Sequence, residues 1–171
     1  PAANAPPSRF PFRMRPLPPI DPDLDLCFER LVDASAAQVF RAWTDPAQIV
    51  RWFTPRPWRT TLAEVDLRAG GRFRTVMEGP NGERHDGTGI YLEVIADRRL
   101  VWTDCLTPGY RPSASPFMTG WIELIPAGRG TRYIATALHA SREQAQQHAA
   151  MGFAEGWNKA LDQLLEILPR G

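Results

Sequence analysis

The residues best suited to chemistry in this chain are two acids in strand-like runs, three histidines and six tryptophans. Leu100, Trp102 and Asp104 alternate onto one face of a run, and Phe117, Thr119, Trp121 and Glu123 alternate onto one face of the next. Facing a cavity, Asp104 or Glu123 could orient a ligand, or act as acid or base with a raised pKa. Facing outward or at a rim, each is a solvated strand residue, and that placement is preferred. His85 and His139 lie near strand ends, and His148 falls off the apolar face of the last helix and is expected in solvent. No HxxxH or HExxH spacing joins the histidines, and the two cysteines, Cys27 and Cys105, form no CxxC, so no metal site is expected. There is no GxSxG element, and neither Gly70-Gly71 nor Gly87-Thr88-Gly89 opens a helix, which argues against hydrolase and phosphate-loop chemistry.

The tryptophans stand at 43, 52, 58, 102, 121 and 157. Large rigid apolar faces are what a cavity for a flat or greasy ligand needs, although they also serve as ordinary core. Trp52, Phe53, Trp102, Trp121 and Trp157 are the expected cavity lining, with Asp104 and Glu123 as polar groups of the cavity or its rim.

Those residues must be positioned by elements that the pattern also predicts. Eight of the 17 prolines fall in residues 1–22, which reads as an extended arm, because proline lacks an N–H and fixes φ. Its apolar residues, Phe10, Phe12, Met14, Leu17 and Ile20, could pack on the domain or on a partner subunit, which keeps a homodimer open. Residues 23–171 read as one domain. Alternation from Leu24 to Glu29 marks a strand. Ser35 with Gln38 forms a capping box for a short helix, and Asp45-Pro46 starts a second that ends near Trp52-Phe53. Six strand-like runs follow, near 60–68, 72–79, 85–95, 99–106, 117–125 and 131–139. Gly70-Gly71 and Asn81-Gly82 suit two-residue hairpins, and 107–116 is a longer loop. Ser141 caps a last helix, and apolar residues from Ala145 to Leu168 recur at three- and four-residue steps. Read as one helix over 141–168, it is roughly 40 Å long. Within it, Gly152 and Gly156 predict close approach to a neighbour or room beneath. The fold class is α+β: a curved antiparallel sheet of about six or seven strands gripping a long C-terminal helix, with two short helices after the first strand.

Composition bounds the function. Apolar residues make up 43% and charged residues 23% of 171, as in a globular domain. The net charge of +1 predicts no strong pull toward nucleic acid or an anionic membrane. No run approaches the ~18 apolar residues of a membrane span, and no signal peptide is apparent, so a cytoplasmic protein is expected.

Several stretches, in this order and spacing, resemble a known family: Ala34 to Pro46, Arg51-Trp52-Phe53, Val65 to Phe73, Gly87 to Val94, Arg99-Leu100-Val101-Trp102, Gly130-Thr131-Arg132-Tyr133 and Gly156-Trp157. The chain is identified over residues 24–168 as a member of the START-like, helix-grip superfamily also called SRPBCC. Within it, the chain resembles the branch named for the C-terminal domain of the activator of the heat-shock-protein-90 ATPase. Residues 1–22 match nothing in it. The resemblance implies a cavity between sheet and long helix, used in the superfamily for hydrophobic ligands or, in some branches, for aromatase and cyclase chemistry. It transfers no catalytic residue and no cofactor. The ATPase activation that gives the branch its name belongs to a domain working with a separate N-terminal module that binds the chaperone. The 171 residues leave no room for that module, so a direct chaperone partner is not expected. The leading expectation is a binder of a small hydrophobic or aromatic molecule. A cyclase/dehydratase-type enzyme acting on a polyketide-like or aromatic substrate, and a chaperone-linked or stress-response interaction module, are the alternatives.

Overall fold

The computed structural model describes Met14 and residues 16–169. Most of the proline-rich arm, with Phe10 and Phe12, lies outside the described residues. Residues 16–21 of it carry no helix or strand. One seven-stranded antiparallel sheet runs in the order β1-β9-β8-β5-β4-β3-β2. Its strands are β1 (Asp25–Val32), β2 (Arg59–Val65), β3 (Arg72–Glu78), β4 (Arg84–Ile95), β5 (Arg99–Thr103), β8 (Thr119–Ala127) and β9 (Gly130–Leu138). The loop expected over 107–116 carries a small ribbon of β6 (Leu106–Thr107) and β7 (Arg111–Pro112). Four helices complete the fold: α1 (Ala36–Thr44), α2 (Pro46–Trp52), α3 (Arg142–Ala150) and α4 (Phe153–Ile167).

Local chemistry accounts for the helix starts. Ser35 and Gln38 form the reciprocal capping box of α1, and the Asp45 side chain accepts from Ala47 N with Pro46 at the first helical position of α2. Ser141 caps α3 through Gln144 N, but the Gln144 side chain accepts from Ala140 N and not from the cap residue itself. The two-residue hairpins expected at Gly70-Gly71 and Asn81-Gly82 are longer turns: pairing stops at Glu78↔Arg84 and at Val65↔Phe73. Gly70 and Gly82 still supply the positive φ that these turns need.

The single helix expected over 141–168 is two. The break falls at Met151-Gly152, where Gly152 adopts φ +87 and starts α4. A left-handed residue cannot continue the i→i−4 ladder, so glycine here serves a change of helix direction. Gly156 does not mark a tight contact, since an added Cβ would meet only Pro55 Cγ, at 3.8 Å.

Register assigns the faces. Leu100↔Ile122↔Ala135↔Phe28 is one cross-strand row on the helix side, and with Trp102, Leu124 and Tyr133 it packs against Val39, Trp43, Ile49, Trp52, Leu161 and Leu164. The neighbouring row, Val101↔Trp121↔Thr136↔Cys27, points to the far face. No helix among the described residues is long and apolar enough to cross a membrane.

Candidate functional site: the aromatic interface between helices and sheet

A connected set of rings lies between the sheet and its helices. Trp43 of α1 sits 4.9 Å from Trp52 and 5.1 Å from Trp102 between ring centroids, and Phe53 joins it at 5.8 Å. Phe53 meets Phe73 edge-on, and Phe73 stacks on Tyr91 at 5.2 Å. Trp102 lies near-parallel to Trp157 of α4, 6.3 Å away, and Trp157 continues to Phe153 at 4.8 Å and to His148 at 6.2 Å. Such offset and edge-to-face pairs add to the burial of apolar area. Trp102 can lie against β8 because residue 120 is glycine: a Cβ there would stand 2.6 Å from the indole. The Trp52 indole donates to Ala42 O at 2.9 Å, whereas the buried Tyr91 hydroxyl finds no partner among the described residues. Burial pushes the Tyr91 and Tyr133 hydroxyls above the usual phenol range, so both stay protonated.

Four of the five aromatic residues expected to line a cavity therefore come together: Trp52 and Trp102 buried, Phe53 and Trp157 half-buried. Trp121 does not join them. It is buried on the far face of the sheet, where it cannot border a space beneath α4. Glu123 shares that face and pairs at 2.7 Å with the buried Arg99, which also reaches Glu93. Asp104 is a loop clamp, its Oδ1 accepting from Phe117 N at 2.8 Å and Met118 N at 3.0 Å. Both acids thus have partners at the rim or on the far face.

The concave side is filled by rings in mutual contact. A cleft of about 260 Å³ opens where β8 begins and β9 ends, walled by Phe117, Met118, Leu138, His139 and Gln144 among others. A second cleft, of about 370 Å³, lies apart at the end of β2 among Glu64, Asp66, Arg68 and Arg72, where Arg68–Asp66 and Arg72–Glu64 pairs neutralise one another.

Sequence reasoning passed over Trp43, Phe73, Tyr91 and, above all, His148. That residue is buried at 8% exposure, contrary to the expected solvent position. His148 Nδ1 lies 2.9 Å from His139 Nε2, and His139 Nδ1 lies 2.9 Å from Leu24 O. Burial first, and then the neighbouring His139, lowers the His148 pKa from 6.5 to about 4. The clue in the sequence is that His148 falls three residues after the inward Ala145.

Trp157→Ala should cost about 2 kcal/mol, below the ~3–5 kcal/mol of a fully buried tryptophan, because Trp157 is half-exposed. The shift in denaturant midpoint measures it, and a cost above about 4 kcal/mol would show that the ring is fully enclosed in solution.

The sequence profile of the activator of Hsp90 ATPase homolog 1-like family matches residues 33–169. No curated protein is significantly similar to the chain. Among solved structures, a crystal structure from Nitrosomonas europaea is 43% identical, with a TM-score of 0.83 over 86% of this chain and 95% of that one. A Mycobacterium smegmatis crystal structure is 26% identical, with a TM-score of 0.73 over 87% and 93% of the two chains. A solution structure described as an activator-of-Hsp90-ATPase-homolog-1-like protein from Aeromonas hydrophila is 27% identical, with a TM-score of 0.63 over 84% and 90%. With its seven-stranded sheet closed by α4 and a profile match over four-fifths of its length, the chain belongs to the activator of Hsp90 ATPase homolog 1-like family.

Proposed function

We propose that this chain binds a small hydrophobic or aromatic molecule at the interface of α4 with the sheet. The observation that carries this reading is the continuous run of rings from Phe53 to Phe153, half-exposed at Phe53 and Trp157. Phe117, which meets the His148 ring beside Phe153, also walls the 260 Å³ cleft, whose lining is mainly apolar. Space of that size suits a molecule of one or two rings. Burying roughly 150–200 Å² of such a ligand contributes about 4–5 kcal/mol before the cost of association, so apolar burial alone gives binding no tighter than about 0.2 mM. The placement of Asp104 and Glu123 favours binding over a reaction run by a carboxylate, since one holds backbone amides and the other holds Arg99.

The test is a titration with naphthalene or an anilinonaphthalene dye, following tryptophan fluorescence. Saturable quenching is expected, weakened at least several-fold by Trp102→Phe. The same change at Trp121, on the far face, should leave affinity unaltered. Absence of saturable binding would sink the reading, and equal sensitivity to both substitutions would move the site.

A further inference from the structure

Tyr91 carries a hydroxyl that the fold does not use. It stands directly opposite Trp102 in the β4–β5 register, so the two side chains share the helix side of the sheet. It is 1% exposed, belongs to the same buried cluster as Trp43, Trp52 and Trp102, and stacks on Phe73. Its oxygen has no hydrogen-bond partner among the described residues. The indoles around it are accounted for: Trp52 donates to Ala42 O at 2.9 Å, and Trp43 approaches the Tyr133 hydroxyl. Phenylalanine would fill the same space without burying an unpaired O–H, an arrangement that works against folding. Burial keeps the phenol protonated, so it has a hydrogen to offer. The ring path from Tyr91 to the surface is short. Phe73 stacks on Tyr91, Phe53 meets Phe73 edge-on at 5.9 Å, and Phe53 is half-exposed. Phe53 caps the C-terminal end of α2, so its ring can turn outward without disturbing a helix interior.

We propose that the Tyr91 hydroxyl is the polar contact of the ligand site, donating a hydrogen bond to the carbonyl oxygen of a neutral aromatic ketone or quinone whose ring takes the place of Phe53 beside Phe73. The inference rests on the ligand-binding reading and supplies its polarity. A carbonyl brings lone pairs and no hydrogen, which matches a lone donor. A plain hydrocarbon leaves the O–H as unpaired as it is in the free protein. A carboxylate also accepts, but its charge must leave water for a set of rings. The buried Arg99 faces the other side of the sheet, where Glu93 and Glu123 hold it, so acids are disfavoured.

2-Acetylnaphthalene and 2-ethylnaphthalene are close in shape and differ by that carbonyl. In fluorescence titrations Tyr91→Phe should lower the ratio of acetyl to ethyl affinity about tenfold, the size of one neutral hydrogen bond. 2-Naphthoate should bind more weakly than the ketone. Infrared spectra of the bound ketone should show its carbonyl band shifted to lower wavenumber in the wild-type protein and not in Tyr91→Phe. The variant also has a readout that needs no ligand: with the unpaired O–H gone, its urea midpoint should equal or exceed that of the wild type. A lower midpoint, or a variant that does not fold, would show that the hydroxyl is bonded within the fold in solution and would overturn the assignment. So would an acetyl-to-ethyl ratio that Tyr91→Phe leaves unaltered, an unshifted carbonyl band, or tighter binding of the naphthoate than of the ketone. In each of these cases saturable binding of 2-ethylnaphthalene to the wild type leaves the ligand-binding reading intact. Failure of all three compounds to bind would overturn both.

Discussion

Gln163→Leu should destabilise the fold by about 3 kcal/mol or more, although leucine is apolar, similar in size and well suited to a helix. Gln163 is buried where α4 meets the segment that follows α2 and uses both ends of its amide. Its Nε2 donates to Trp52 O at 2.8 Å and to Thr54 O at 2.9 Å. Its Oε1 accepts from Arg56 N at 2.9 Å and from Arg56 Nε at 3.1 Å. The segment between α2 and β2 has no regular ladder over these residues, so one side chain supplies what backbone neighbours would otherwise provide. Leucine would leave two buried carbonyls without a donor, at roughly 1–3 kcal/mol each. Arg56 lies near the surface and can turn to water or to Glu166, with which it already pairs, so its loss adds little. Gln163→Glu is the companion variant. It keeps an acceptor for Arg56 but sets a carboxylate against two carbonyl oxygens, and it should be at least as damaging as leucine. Midpoints of urea unfolding at pH 7 measure both. A cost under about 1 kcal/mol for leucine would show that the 53–57 loop is held by other contacts. Trp52-Phe53 opens that loop, so the same clamp sets two rings of the candidate site.

The order of elements was legible in the sequence because each left a local mark: alternation for the strands, Ser35 with Gln38 and Asp45 with Pro46 for the short helices, three- and four-residue recurrence for the last helical segment. What was not legible depends on tertiary placement. Trp102 and Trp121 both alternate within apolar strands, and nothing local says which face a helix covers. β8 has apolar residues on both sides, Ile122 and Leu124 on one and Trp121 and Ile125 on the other. Only the register Val101↔Trp121 against Leu100↔Ile122 separates them. The break at Gly152 was hidden because inward positions recur on both sides of it, at Ala145 and Phe153. His148 and Gln163 were hidden by residue type. Each occupies an inward helical position, and a polar side chain is assigned to solvent unless a buried partner is known. For His148 the partner is nine residues away at His139, and for Gln163 it is a loop more than one hundred residues earlier.

Acid should weaken the fold well before its carboxylates titrate, and His148 is the reason. Its pKa falls from 6.5 to about 4 in the folded chain, through burial and then the charge of His139, so the fold favours the neutral ring. The unfolded chain takes up a proton near pH 6.5 and the folded chain does not until about pH 4. Stability is therefore fully present above pH 6.5 and declines as pH falls through that window. A pKa difference of this size corresponds to up to about 3 kcal/mol. The geometry says where the loss acts. Protonated His148 must keep a charge among Phe117, Phe153 and Trp157, or swing out and take α3 with it, about the Gly152 turn. Asp86, held low by Arg74, titrates below this range and does not obscure it. Urea unfolding followed by tryptophan fluorescence at pH 7.5, 6, 5 and 4.2 should give a steady fall in stability. His148→Phe removes the titrating group and should flatten the profile between pH 6.5 and 4. A wild-type profile that is already flat there would mean that the His148 ring is solvated in solution, and a slope that survives in His148→Phe would assign the effect to another group.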